Sequence, residues 1–145
     1  MAAGGSGMRI VIDANILFSA LIKDSLTRKI ILEYEERFLF PKIIFTEAEK
    51  HKDELLKKSR LSAEEFSVLF ALLMQKMQIV PDETLKPFYD AAYEIIKEID
   101  PDDALFIACA LAYPGSVLWT NDKKLKLQIK VRIIETSELM GALKL

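Results

Sequence analysis

The feature that most constrains this chain is its alternation of very short apolar runs with amphipathic, helix-length stretches. The runs at 9–12, 38–40, 78–80, 116–120 and 131–134 are strand-sized. Those at 9–12 and 116–120 read as buried strands, too short to form amphipathic helices. Strand alternating with helix predicts an α/β fold in which helices cover a parallel sheet.

The helical stretches carry their own punctuation. Ile16, Leu17, Ala20 and Leu21 recur at helical spacing after Asp13, and Asp24 or Ser25 can cap a second helix bearing Ile30, Ile31 and Tyr34. Pro41 is placed to open a third helix reaching about Leu56, although Thr46-Glu47-Ala48-Glu49 is also a capping-box pattern. On that helix Ile44, Ala48 and Leu55 form the apolar face, with Glu47, His51 and Glu54 along one edge. A capping box at Ser62-Ala63-Glu64-Glu65 opens a helix whose apolar side is Phe66, Leu69, Phe70, Leu73 and Met77. Pro87 starts a helix through Ala91, Ala92, Ile95 and Ile96. Residues 100–102 read as a turn with Asp102 as the simple cap, and Thr136 or Ser137 caps a final helix carrying Leu139, Met140 and Leu143.

Two acids end strands: Asp13 follows the first run and Asp122 follows the fourth. In open α/β sheets the carboxyl ends of the strands border the ligand crevice, so both are site candidates, although Asp also caps helices and shapes turns. Asp103 shares a helical stripe with Phe106, Ile107 and Ala110 and faces inward at its helix N-terminus. Glu47 on its inner edge makes a fourth. Such carboxylates repel one another, and a hard divalent cation, Mg²⁺ or Mn²⁺, removes the cost. Two such ions would supply the chemistry of displacement at phosphorus.

Other chemistries are poorly supplied. Gly115 and Gly141 are the only glycines after residue 7, which leaves no phosphate-binding glycine loop, and His51 is the only histidine for zinc or a nucleophilic triad. His51 reads as a hydrogen-bonded boundary residue, and Trp119 and the phenylalanines as core. The net charge of −2 excludes a polycation that coats nucleic acid, so phosphate contacts fall to local groups such as Lys123, Lys124, Lys126 and Lys130, which otherwise decorate a solvated face. The single cysteine, Cys109, suits a reducing, cytoplasmic setting. The apolar stretch 104–119 is broken by Pro114 and Gly115 and is too short for a membrane span. Residues 1–7 read as a cloning remnant ahead of a single domain over 8–145.

Taken in order, IVIDANILFSALI, FTEAEKH with Glu47, DPDDALFIACAL and LWTNDKKL resemble the successive acidic motifs of the PIN domain. The resemblance implies a three-layer α/β/α sandwich with a central, mainly parallel sheet, and a Mg²⁺- or Mn²⁺-dependent endonuclease acting on single-stranded RNA. Asp13, Glu47, Asp103 and Asp122 match the family's acidic positions, Asn15 and Thr120 its supporting polar positions, and Asp100 an accessory acid of one subgroup. Small PIN proteins of this kind are often toxins paired with an antitoxin, and many are homodimers; the segment 52–87 is longer here than in the most compact toxin-type members. The rival expectation is a PIN-like module that binds RNA or protein without cutting.

Overall fold

The computed structural model describes residues 8–23 and 25–143. The expected remnant at 1–7 and the candidate cap Asp24 lie outside them. Among the described residues five strands form one all-parallel sheet in the order β3-β2-β1-β4-β5: β1 (Ile10–Ile12), β2 (Phe38–Pro41), β3 (Met77–Val80), β4 (Val117–Trp119) and β5 (Arg132–Ile134).

Alternation along the three inner strands divides the core into two halves. Ile10, Ile12, Phe38, Phe40, Val117 and Trp119 face one side, where α1 (Ala14–Ile22), α2 (Leu26–Glu33), α5 (Ala63–Gln75) and α9 (Thr136–Leu143) cover them. Val11, Leu39 and Leu118 face the other, covered by α6 (Asp82–Leu85), α7 (Tyr89–Ile96) and α8 (Ala104–Ala112). With both faces buried, the strands carry almost no polar side chains, which is why they read as continuous apolar runs. Cys109 is fully buried on α8, and burial pushes its thiol up to about 12.

Several boundaries differ from the sequence reading. The helix expected from Pro41 to Leu56 is two, α3 (Lys42–Lys50) and α4 (Lys52–Ser59), because His51 leaves helical geometry at φ −98°, ψ 13°. Met77 belongs to β3, not to the apolar side of α5. Pro87 sits within a 3₁₀ turn at Lys86–Phe88, and α7 starts after it. The cap before α8 is not Asp102: Asp100 accepts from the Asp102 N–H at 3.2 Å. Neither Thr136 nor Ser137 caps α9, since the first intrahelical bond runs from Leu139 N–H to Glu135 carbonyl. Instead the Thr136 hydroxyl accepts from the Trp119 indole at 2.9 Å. Ser25 does cap α2, accepting from the Arg28 N–H, and the Ser62–Glu65 capping box of α5 is complete.

Two substitutions separate core from cap energetics. Leu17→Ala, at a fully buried position, is expected to cost about 2–5 kcal/mol in urea unfolding. Ser62→Ala, which removes half of the capping box, is expected to cost about 0.5–2 kcal/mol.

Candidate metal centre

The strand order reverses direction between β1 and β4, and such switch points open a crevice beyond the carboxyl ends of the strands. Ile12 pairs with Trp119, so the chain leaves both strands side by side, and the first residues it presents there are Asp13 and Thr120. The two are buried and bonded: the Thr120 hydroxyl donates to Asp13 Oδ2 at 2.7 Å. The same hydroxyl accepts from the Asp122 backbone N–H at 3.1 Å, which ties the second strand-end acid to the first. Asp13 Oδ1 accepts from the Asn15 N–H at 3.2 Å. Asp13 therefore caps α1 from the strand end that borders the crevice, so its capping role and a site role do not compete.

The third acid arrives on a helix. α8 runs into β4 through a short turn, so its N-terminus lies at the carboxyl edge of the parallel sheet. The 3₁₀ turn Pro101–Asp103 leads into α8 and presents Asp103, while Asp100 is held at the entry by its bond to Asp102. Carboxylate oxygens of Asp100, Asp103 and Asp122 all lie within 4.8 Å of one another. Asp100 is thus a member of this three-acid cluster. Its signal in the sequence is the Asp-Pro-Asp-Asp run, which combines a turn with three carboxylates.

The electrostatics follow from this crowding. Burial, then the charges of Asp100, Asp13 and Asp122, push the Asp103 carboxyl up to about 7. Burial also raises Asp13, opposed by the Thr120 hydroxyl and the Asn15 N–H and reinforced by Asp122. Among the described residues, Lys124 supplies the one ion pair to these four acids, its Nζ 3.8 Å from Asp100 Oδ2 at the exposed rim. The donor set is oxygen only, anionic and short of positive charge, which fits a hard divalent cation such as Mg²⁺ or Mn²⁺.

The remaining sequence candidates are placed less centrally. Glu47, on α3, is not one of the three acids whose oxygens converge; its side chain is 42% exposed and lies 3.7 Å from Lys50 and 3.8 Å from His51. His51 is exposed, with its ring between Glu47 and Glu54. Asn15 is exposed beside Asp13, and Lys123 is exposed in the 3₁₀ segment Lys123–Leu127 after Asp122. Asn121 shapes the turn, its Oδ1 accepting from the Thr136 N–H at 2.9 Å. Lys126 faces away toward α9, paired with Glu135 and Glu138 at 2.7 Å each.

Fold and site together define a parallel α/β protein with a cluster of acids at its topological switch point. A family model described as PIN domain matches residues 11–141, and the chain belongs to that family. PIN domains are generally metal-dependent nucleases. No curated protein matches the sequence significantly.

Two measurements probe this electrostatic reading. Between pH 3.8 and about 7 the folded chain keeps a proton on Asp103 that the unfolded chain has lost, so raising the pH through this window destabilises the metal-free fold. Urea midpoints against pH are expected to fall in that window more steeply for the wild-type protein than for Asp103→Asn. Thr120→Val, which strips Asp13 and the Asp122 N–H of a partner, is expected to cost about 1–3 kcal/mol in the same assay.

Proposed function

We propose that this protein is a metal-dependent endonuclease that hydrolyses phosphodiester bonds in single-stranded RNA. Asp13, Asp103 and Asp122 would hold Mg²⁺ or Mn²⁺, with Glu47 completing the set from α3. The observation that carries the reading is the convergence of Asp100, Asp103 and Asp122 beside buried Asp13, in a family of nucleases. A divalent cation bound there would supply Lewis-acid activation of water and charge stabilisation at the leaving oxygen.

The chain's own groups have separable tasks. Thr120 and the Asn15 N–H oppose the upward shift of Asp13 and so favour its charged form. Asp103, its carboxyl pushed up to about 7 by burial and its neighbours, would give up its proton to bind a cation among these acids. Asp100 crowds Asp103 and anchors Lys124 at the rim, where the ammonium can meet a substrate phosphate, as can the neighbouring Lys123. Hydrolysis by this route leaves 5′-phosphate and 3′-hydroxyl ends.

The test is cleavage of an end-labelled, unstructured RNA with Mn²⁺ or Mg²⁺. Asp103→Asn and Asp122→Asn are each expected to lose about a hundredfold or more in rate, and chelator to abolish cleavage. Lys124→Ala should raise KM with little change in kcat. Metal-loaded protein that cuts no single-stranded RNA, or variants that cut as fast as wild type, would overturn the proposal.

A further inference from the structure

Beside the acids, α1 and α4 pack together and leave a groove of about 410 Å³ between matching helical stripes. Asn15, Phe18 and Ser19 line it from α1, Leu55 and Lys58 from α4, and His51 from the break before α4. The α1 residues are the i, i+3 and i+4 positions of one helix face, and Leu55 and Lys58 stand three apart on α4. The volume is that of a small-ligand site.

The groove borders the acidic cluster at one residue. Asn15 lines the groove, and its backbone N–H is the donor to Asp13 Oδ1. A strand with its phosphate at the acids therefore has a neighbouring nucleotide within reach of this opening. Half-buried Phe18 and buried Leu55 give the groove an apolar floor, while the Asn15 amide, the Ser19 hydroxyl and the His51 ring add hydrogen-bonding edges. An apolar face with polar edges suits an unstacked base.

Charge selects the same part of the nucleotide. Lys58 is matched by Glu54, also in the groove, at 2.9 Å, so the walls carry no surplus positive charge to prefer a phosphate. The larger pocket around Ile43, Leu85 and Tyr89 is bordered by Asp82, Glu83 and Asp90, with Lys86 as its one lysine, and would repel a polyanion. We propose that the α1–α4 groove seats a nucleobase flanking the scissile phosphate, so that substrate choice is read there. This inference rests on the nuclease reading above.

The experiment scans an eight-nucleotide RNA with one abasic position at a time, using wild-type protein and the groove-filling Ser19→Trp. Folding of the variant is checked by urea unfolding, with Ser19→Met as a milder filling. In wild type, one abasic position next to the cut should lower kcat/KM about tenfold or more. Ser19→Trp should bring intact RNA down to that level and make the scan flat, while hydrolysis of bis(p-nitrophenyl) phosphate, too small to reach the groove, stays unchanged. A flat scan in wild type, or a scan that neither filling variant alters, would overturn the groove assignment and leave the nuclease reading standing. If wild type cleaves neither substrate, the nuclease reading fails. Fluorescence anisotropy of the same oligonucleotides then decides the groove: position-dependent binding lost in Ser19→Trp supports it, and flat binding overturns it.

Discussion

The Thr120 hydroxyl is the fastener of this molecule's working edge. It donates to a buried carboxylate that ends one strand and accepts from the backbone N–H of the acid that follows another. Without it, Asp13 and Asp122 would be held near each other by backbone pairing alone, Ile12 beside Trp119 and the Asp13 N–H on the Trp119 carbonyl at 3.2 Å, against their mutual repulsion. The hydrogen bonds fix where the negative charge sits and leave its sum uncompensated. That combination of fixed position and unbalanced charge makes the edge a place for a cation.

The same tension distributes roles between the two faces of the sheet. The α1 side contributes Asp13, through the turn that also caps that helix. The α8 side contributes Asp100 and Asp103, through a Pro-containing 3₁₀ turn that aims them back over the strand ends. The β1–β4 register brings the two together, so the site is a property of the sheet order as much as of the acids.

Much of this was legible in the residues. Apolar runs of three to five residues fixed the strands because both faces of the sheet are covered, and helical spacing in 16–21 and 66–73 marked the helix faces correctly. The switch-point placement of Asp13 and Asp122 followed from their positions after strands. What escaped was decided by contacts between elements. Nothing local shows that His51 breaks a helix, that Asp100 and not Asp102 takes the cap, or that Thr136 receives the Trp119 indole while Glu135 starts α9. Angular position set Glu47 on the inner edge of its helix, but it does not fix depth, and the side chain is half in solvent beside Lys50 and His51.

The proposed nuclease chemistry depends on these clustered carboxylates taking a divalent cation. The most direct check is a crystal soaked in Mn²⁺ and measured at the manganese edge. An anomalous peak within coordination distance of Asp103 and Asp122, with Asp13 as a direct or water-bridged ligand, is the predicted result. Well-ordered density for these side chains with no peak between them, or a peak only at other surface acids, would contradict it.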